Sequence, residues 1–212
     1  MKKLVIGAAL ASGIFSAAVS AHQAGDWIVR AGTATVRPSE SSDNVLGLGG
    51  FNINNNTQLG LTLTYLATDN IGVELLAATP FRHKVGLNST GDIASVRDLP
   101  PTLMAQWYFG QPKDKLRPYV GVGVNYTTFF DEKFNQTGHD AGLSDLSLKD
   151  SWGVAGQVGV DYNLNDNWLI NMSVWYIDMD TKVRFNSTAA GRQSIDTHIN
   201  PWVFMFSTGY RF

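Results

Sequence analysis

Strict alternation at the C-terminal end of the sequence constrains the fold more than any other feature. Counting back from the last residue, every second position carries an aromatic ring or a threonine: Phe212, Tyr210, Thr208, Phe206, Phe204 and Trp202. The positions between them are Arg211, Gly209, Ser207, Met205 and Val203. Successive side chains of a β-strand point to opposite faces, so this period of two predicts a strand with one ring-rich face and one mixed face.

Seven upstream segments repeat this pattern, with aliphatic side chains along one face and, in most of them, an aromatic ring at one or both ends. They cover residues 27–33, 59–65, 71–77, 103–109, 118–126, 152–162 and 168–176. Trp and Tyr settle at the headgroup levels of a membrane, and aliphatic side chains suit the hydrocarbon between them. The pattern therefore favours eight membrane-spanning strands. A soluble β-sandwich also alternates, but it has no need for so many ring-terminated faces.

The connections between these segments alternate in length. Three are short and rich in turn residues: 67–70, 110–115 and 163–167. Four are long and polar: about 38–56, 83–98, 131–149 and 183–198. Within the third of these, residues 141–146 are consistent with one helical turn. The sequence thus predicts an all-β fold, an eight-stranded antiparallel transmembrane β-barrel with short periplasmic turns, long extracellular loops and both termini in the periplasm.

The N-terminus has the organisation of a secretory signal peptide. Two lysines supply positive charge, an apolar stretch follows at 4–19, and the Val-Ser-Ala sequence at 19–21 resembles a cleavage site. A transmembrane anchor is the alternative, but the apolar run is short and ends in small residues. We therefore expect a cleaved signal peptide at 1–21 and a single barrel domain at 22–212 in a Gram-negative outer membrane.

The composition excludes several classes of function. Charged residues make up only 16% and the net charge is −2, so no basic stripe exists to bind nucleic acid. The lack of cysteine removes thiolate sites, and the four histidines have no mutual strand or helix spacing, so neither a metal nor a cofactor is predicted. His139, Asp140 and Ser144 have the residue types of a catalytic triad, but adjacency in one loop is not triad geometry. We expect no enzymatic activity.

Several long motifs occur in fixed order along the chain. They are Arg30-Ala31-Gly32 with Thr35-Val36-Arg37-Pro38, NTQLGL at 56–61, ATDNIGVELLAATPFR at 67–82, LPPTLMAQWY at 99–108, RPYVGVGVNYTTFF at 117–130, residues 146–162, NMSVWY at 171–176, and Pro201-Trp202 through to Tyr210-Arg211-Phe212. Together these motifs resemble the outer membrane protein W (OmpW) family over nearly the whole chain that follows the signal peptide. The resemblance implies an eight-stranded barrel that admits small hydrophobic molecules.

In each strand, the residues that alternate with the lipid-facing ones point into the lumen. In the periplasmic half of the barrel, these inward residues are polar. They are Arg30, Glu74, Gln106, Tyr119, Gln157, Asp161, Asn171 and Arg211. Charged side chains in a membrane-embedded element must face inward and find partners, so we expect the two arginines to pair with the two carboxylates. These four charged residues are predicted to form a polar plug that fills the narrow barrel, with a proton or ion path as the alternative.

The extracellular half of the inward face is apolar. It collects Leu76, Ala78, Met104, Phe129, Ala155, Trp175, Ile177, Met179, Val203 and Met205. Porin interiors are polar, so an apolar half indicates a binding cavity, and inward glycines at 121, 123 and 153 would leave room for one. A dry, packed core is the alternative, and the family resemblance favours the cavity. We choose Leu76 and Trp175 as the constriction at its floor.

Three prolines lie at the tops of two neighbouring strands. Pro80 ends the third predicted strand, and Pro100 and Pro101 precede the fourth. Proline cannot donate to a β-ladder, so pairing at this part of the outer rim should be weak. We therefore expect a lateral opening into the bilayer there. The alternative is that the prolines only terminate two strands.

Two functions from different classes remain. The first is a channel in which a small hydrophobic ligand enters the apolar upper lumen, is stopped by the plug and leaves sideways into the membrane. The second is a surface receptor whose extracellular loops dock a protein partner. Outer-membrane lipids and lipopolysaccharide are expected neighbours in both cases. Arg82, His83 and Lys84 at the rim are candidates for lipopolysaccharide contact, although a solvated loop edge explains them equally well.

Overall fold

The computed structural model describes residues 22–47, 49–87 and 90–212, so the predicted signal peptide at 1–21 lies outside the described residues. The elements in chain order are β1 (Trp27–Arg37), β2 (Ser41–Ser42), β3 (Phe51–Ile53), β4 (Asn56–Leu66), β5 (Ile71–Ala78), β6 (Phe81–Leu87), β7 (Gly91–Leu99), β8 (Thr102–Tyr108), β9 (Leu116–Phe134), α1 (Gln136–Asp140), β10 (Leu143–Leu148), β11 (Ser151–Asn163), β12 (Trp168–Ile177), β13 (Asp180–Ser187), β14 (Gly191–His198) and β15 (Trp202–Arg211). In this part of the chain, no helix is long and apolar enough to cross a membrane.

Eight of these strands form one closed antiparallel sheet. Strands β1, β4, β5, β8, β9, β11, β12 and β15 each pair with the next in this order, and β15 pairs back with β1. The closing ladder runs from Ile28 opposite Arg211 to Arg37 opposite Trp202. Closure pairs every strand on both sides, as a sheet in lipid requires. The predicted eight-stranded antiparallel barrel is confirmed.

Side-chain parity separates a lipid-facing surface from the lumen. Aliphatic residues at mid-strand, such as Val122 with 71% of its surface exposed, point outward. Aromatic rings on adjacent strands contact each other at two levels. Trp27 and Tyr65, with ring centroids 4.9 Å apart, mark the end with the short turns, and Tyr126 and Trp152, at 4.8 Å, mark the opposite end. These levels correspond to the two headgroup regions of a bilayer.

Beyond the extracellular ring level, the barrel wall continues as β-hairpins. The sequence predicts polar loops at the four long connections, whereas the structure forms strands in all of them. Gly91 (φ +73°) and Gly191 (φ +68°) adopt the left-handed backbone that the tight turns of two hairpins require. The inward side chains of this extension form one apolar cluster: Val45, Phe51, Leu87, Ile93, Ala94, Leu143, Val183 and Phe185. Most charged residues of these strands, such as Arg82, Lys84 and Lys182, lie on the outer face.

Helix α1 precedes the position predicted for a helical turn. It begins after Asn135, whose side-chain oxygen accepts a hydrogen bond from the backbone N–H of Gly138 at 3.0 Å. Residues 141–146 instead lead into β10, which pairs with β13. The prediction of a helical turn at 141–146 is wrong, because Leu143 is buried in the apolar cluster of the extension and extended backbone places it there.

Candidate functional site

The periplasmic half of the lumen is closed by an ion-pair network around Arg30. This side chain is 1% exposed, and it donates from Nε and Nη2 to the two carboxylate oxygens of Asp161 at 3.2 and 2.5 Å. Its Nη1 donates to Glu74 Oε2 at 3.2 Å and to Thr64 Oγ1 at 2.7 Å, and Nη2 also contacts the Tyr108 hydroxyl oxygen at 3.0 Å. Two-point contact between a guanidinium and a carboxylate is a strong form of ion pair. It ties five barrel strands together: β1, β4, β5, β8 and β11.

Amide side chains satisfy the remaining carboxylate oxygens. Gln157 donates to Glu74 Oε1 at 2.8 Å and accepts from Gln106 at 2.9 Å. Asn171 donates to Asp161 Oδ1 at 2.7 Å. All eight polar residues predicted for this half of the lumen are buried. Asn171 also donates to the Tyr119 hydroxyl oxygen at 2.9 Å. We use the term polar plug for the connected set of Arg30, Thr64, Glu74, Gln106, Tyr108, Tyr119, Gln157, Asp161 and Asn171.

Arg211 does not pair with the carboxylates of the plug, so the prediction that both arginines do so is wrong for this residue. Its Nε lies 3.5 Å from Oδ2 of Asp26, and its Nη1 lies 3.4 Å from Nδ1 of His22. The register explains the difference, because Arg211 is opposite Ile28 and therefore lies closer to the periplasmic mouth than Arg30.

Two buried residues of this region follow from parity but are absent from the predicted plug. Tyr108 is fully buried and contacts Arg30. Arg117 is also fully buried and donates to the backbone carbonyls of Phe109 at 2.9 Å and Asp69 at 2.8 Å. Both alternate with outward-facing neighbours, so the period of two was the signal that could have found them.

His22 is a third missed residue, and periodicity gives no signal for it. It precedes the first strand, yet its ring is buried in the periplasmic end of the lumen. Its Nε2 lies 2.9 Å from Oδ2 of Asp161. The chain segment before β1 therefore closes the plug from below.

Directly above the plug the lumen is apolar. One buried cluster contains Ala34, Val36, Leu76, Phe81, Met104, Ala155, Trp175, Ile177, Met179, Ile199, Val203 and Met205, and Ala78 and Phe129 pack against it. All ten residues predicted for this half therefore lie together. Trp175 is fully buried and is in register with Gln157 of the plug, and Leu76 follows Glu74 by two residues on β5. The structure places Leu76 and Trp175 where the apolar cluster meets the plug.

The inward glycines do not leave the cavity that the sequence suggested. A Cβ atom on Gly123 would lie 2.0 Å from the Leu103 carbonyl oxygen and 2.6 Å from the Met104 sulfur. A Cβ on Gly153 would lie 1.6 Å from the Asp178 carbonyl oxygen. These glycines allow close approach of neighbouring chain, so the space beside them is already filled.

Free volume lies higher, inside the extracellular half of the molecule. A lower cavity of about 40 Å³ lies among residues that include Val36, Phe129, Ile177, Met179 and Val203. An upper cavity of about 30 Å³ lies inside the extension. The two share part of their lining: Ile53, Val85, Val96, Leu148 and Ile199. They form one apolar funnel that ends on the cluster above the plug.

His83 and Asp98 are the polar side chains in the lining of the lower cavity. His83 Nδ1 lies 2.8 Å from the Asn54 carbonyl oxygen, and its Nε2 lies 3.4 Å from Oδ1 of Asp98. Burial raises the pKa of Asp98 to about 7, and burial lowers the pKa of His83. An otherwise apolar wall therefore carries one titratable pair.

The side chain of His83 points away from the rim, which corrects its assignment as a lipopolysaccharide contact. It is 8% exposed and faces the cavity, whereas Arg82 and Lys84, its neighbours on β6, face solvent. Across 22–47, 49–87 and 90–212, no three His, Asp or Glu residues are grouped so that they could hold a metal ion.

The barrel wall is interrupted beside the lower cavity. Pairing of β5 with β8 ends at Leu76 opposite Thr102. Pairing resumes between β6 and β7, which continue these strands outward, only at Phe81. Between these levels, the backbone segments 77–80 and 99–101 share no ladder pair with each other. We call this interruption the seam gap.

All three predicted prolines lie in the seam gap. Pro80 is exposed, Pro101 is half-buried, and Pro100 is buried and lines the lower cavity. From inside the lumen, Asn125 Nδ2 donates to the carbonyl oxygens of Pro100 and Pro101, each at 3.3 Å. The Thr102 hydroxyl donates to the Pro100 carbonyl at 3.0 Å. Side chains therefore bond the Pro100 carbonyl, whereas the Pro101 carbonyl also accepts from the backbone N–H of Tyr126 on β9 at 3.1 Å.

A closed eight-stranded sheet with two aromatic belts and its charges turned inward defines an outer-membrane β-barrel protein. The chain belongs to the OmpW family, whose model matches residues 23–212. It is 63% identical to outer membrane protein W of Escherichia coli strain K12 over 213 residues, with both chains covered completely. Outer membrane protein AlkL of Ectopseudomonas oleovorans is 31% identical, covering 97% of this chain and 90% of that protein.

Solved structures agree with this assignment. The crystal structure of OprG from Pseudomonas aeruginosa matches with a TM-score of 0.83 and 44% identity, covering 91% of this chain and 98% of that one. The family resemblance and the location in a Gram-negative outer membrane are thus confirmed. Proteins of this family are outer-membrane barrels and not enzymes, as expected.

Proposed function

We propose that this barrel takes up small hydrophobic molecules from outside the cell and releases them sideways into the outer membrane. The observation that carries the proposal is an apolar funnel that is closed below by a polar plug and bordered at the side by the seam gap. Family membership supports it, because the resemblance to OmpW implies the admission of small hydrophobic molecules.

Passage straight down through the lumen is opposed by the plug. A solute on that route must separate Arg30 from Asp161 and Glu74, which are all at most 1% exposed. Breaking buried ion pairs costs about 3–5 kcal/mol, and an apolar solute offers no hydrogen bonds in return. The plug therefore acts as a floor rather than a gate in this proposal.

The seam gap offers a shorter route. Pro100 lines the lower cavity on its inner side and belongs to the barrel wall, so only the segments of the gap separate the cavity from lipid. No ladder hydrogen bond between β5 and β8 has to break at this level. Outer-membrane lipids would receive the solute directly, without its return to water.

Replacing Leu76 with Asp tests the apolar throat. An unpaired carboxylate at the narrow end of the funnel should weaken binding of an apolar solute by ~1–3 kcal/mol, or roughly five- to hundredfold. Uptake of labelled naphthalene into proteoliposomes would measure it, and Leu76→Met is the matched control that keeps the apolar volume. A charge at the other constriction residue, introduced by Trp175→Arg, should also weaken binding. Wild-type uptake by folded Leu76→Asp protein would contradict the channel and favour the surface receptor.

Restoring pairing at the gap tests the lateral route. The double variant Pro100→Val with Pro101→Val favours continued strand and supplies a backbone N–H at position 100 that points into the gap, so the gap should narrow. The new N–H at position 101 points toward β9, as the Pro101 carbonyl does. We expect naphthalene uptake to slow about two- to fivefold, a change of ~0.4–1 kcal/mol in barrier. Pro118→Val, at a barrel strand that is paired on both sides, is the control. Unchanged uptake with an intact fold would remove the lateral route.

A further inference from the structure

The lower cavity has one polar spot in an otherwise apolar lining. Asp98 is 6% exposed and His83 8% exposed, and both line the cavity. The other residues of the lining are apolar: Val36, Pro38, Ile53, Val85, Val96, Pro100, Phe129, Leu148, Ile177, Met179, Ile199, Pro201 and Val203. A buried carboxylate is costly unless it is paired, so its position in such a wall calls for a partner.

The hydrogen-bond geometry of His83 and Asp98 does not itself provide a partner for the ionised carboxylate. The carbonyl oxygen of Asn54 can only accept, so His83 Nδ1 at 2.8 Å must be the protonated nitrogen. In the neutral ring, Nε2 is then an acceptor, and it faces the acceptor oxygen of Asp98 at 3.4 Å. When Asp98 is ionised and the ring is neutral, two acceptors therefore face each other, and in that state only a donor from outside the pair can satisfy both.

We propose that Asp98 and His83 form a head-group subsite for an ammonium group carried on a small apolar body. This inference rests on the proposed function and narrows its substrate class to amphipathic amines. An ammonium has three N–H donors and no acceptor, so it complements the two facing acceptors. Its positive charge also compensates the buried carboxylate, and the apolar body that carries it contacts the apolar lining of the funnel.

Other head groups fit the subsite less well. A carboxylate would bring a third acceptor and a second negative charge beside Asp98. A hydroxyl can donate once but leaves the charge uncompensated. A quaternary ammonium has the charge but no N–H, so it cannot bridge Asp98 and His83.

Other charged groups of the surrounding strands do not line the cavity. On β6, β7 and the extracellular half of β9 these are Arg82, Lys84, Asp92, Arg97, Asp131, Glu132 and Lys133, and Asp131 pairs with Arg82, Arg97 and Lys133. Arg117 lies at the periplasmic end of β9. From the opposite wall, Asp178, Asp180, Lys182 and His198 are exposed, and Glu40 accepts from the backbone N–H of Ile53. Asp98 and His83 thus titrate together within the cavity.

Protonation of Asp98 competes with the amine. Below pH 7 the carboxyl of Asp98 carries a proton that it can donate to His83, because burial raises its pKa to about 7. Above pH 7 the carboxylate is free to accept from an ammonium. An alkylamine stays protonated throughout this range, since its pKa is close to that of a lysine at about 10.4. Amine binding should therefore strengthen as pH rises through 7.

The test compares n-octylamine with n-octanol, which have the same tail. The full-length chain in zwitterionic lipid nanodiscs is titrated with each compound at about pH 8, and empty nanodiscs correct for partition into lipid. We expect octylamine to bind about tenfold more tightly than octanol, and Asp98→Asn to remove this preference while octanol affinity stays within about twofold. Asp92→Asn, on the same strand but exposed and paired with Lys84 at 3.3 Å, should behave as wild type.

Two measurements on the wild-type chain keep the test independent of how well Asp98→Asn folds. Octylamine affinity should rise about tenfold between about pH 6 and about pH 8 with octanol affinity constant, and octyltrimethylammonium should bind more weakly than octylamine. Equal affinity for octylamine and octanol, or for octylamine in wild type and Asp98→Asn, would overturn the subsite and leave the proposed function standing. Binding of neither compound would count against both.

Discussion

Locking the seam gap with a disulfide should block uptake, and reduction should restore it. Continued beyond Leu76 opposite Thr102, the register would place Ala78 opposite Pro100, both on the lumen side of the wall. The native chain has no cysteine, so Ala78→Cys with Pro100→Cys creates one defined bond. A disulfide holds the two Cα atoms about 4.4–6.8 Å apart, which is the spacing of paired strands. Oxidised protein should take up naphthalene about tenfold more slowly, an added barrier of ~1.4 kcal/mol.

The redox cycle supplies the internal control, because the same protein is measured before and after a reductant is added. A second cysteine pair, Leu75→Cys with Leu103→Cys, lies in a ladder that is already formed, on the lipid-facing surface. This pair should cross-link with no effect on uptake. Rapid uptake by fully cross-linked Ala78→Cys/Pro100→Cys protein would show that solutes leave the lumen elsewhere.

Replacing Arg30 with Met should destabilise the barrel more than any other single change in the lumen. The variant leaves Asp161 and Glu74 buried without their shared cation, and loss of one partner of a buried pair costs about 3–5 kcal/mol. Equilibrium unfolding by guanidinium chloride in lipid vesicles, followed by tryptophan fluorescence, measures the loss. Arg37→Met is the matched control, since Arg37 lies on the same strand but is exposed, and its effect should stay within about 0.5 kcal/mol.

A compensated variant separates charge from packing. Adding Glu74→Gln and Asp161→Asn to Arg30→Met removes the stranded negative charges and keeps the side-chain volumes, so most of the lost stability should return. If Arg30→Met alone unfolds at the same denaturant concentration as wild type, the network around Arg30 does not hold the barrel together.

The barrel itself was accessible from the sequence because lipid imposes a repeating requirement on every strand. An outward residue such as Val122 must be apolar and an inward one such as Glu74 must be paired, so parity sorts most of the lumen correctly. Side-chain parity does not give the position of a residue along the barrel axis. This is why Arg211 was grouped with carboxylates that lie farther from the periplasmic mouth. Parity also cannot reach His22, which enters the lumen from outside any strand.

The extracellular half was harder to predict for a related reason. Outside the membrane the outer face of a strand meets water, so residues such as Arg82 and Lys84 are polar and the segment resembles a loop. The inward residues Val85 and Val96 still carry the strand signal, but it is short and interrupted by turns. The pairing of His83 with Asp98 joins two strands of a hairpin whose turn the sequence did not define. Neither residue type nor spacing identifies such a pair.

The length of β9 has a consequence for where a solute leaves the aqueous phase. Its 19 residues span about 60 Å at ~3.3 Å per residue, while the hydrocarbon layer is only about 30 Å thick. Even with the tilt of ~40° that is usual for barrel strands, β9 rises well beyond the lipid. On the proposed route, the intake therefore lies at the height of the hydrated sugars of the outer leaflet. An apolar compound on that route would pass the carbohydrate layer inside the protein and would reach acyl chains only at the level of Pro100.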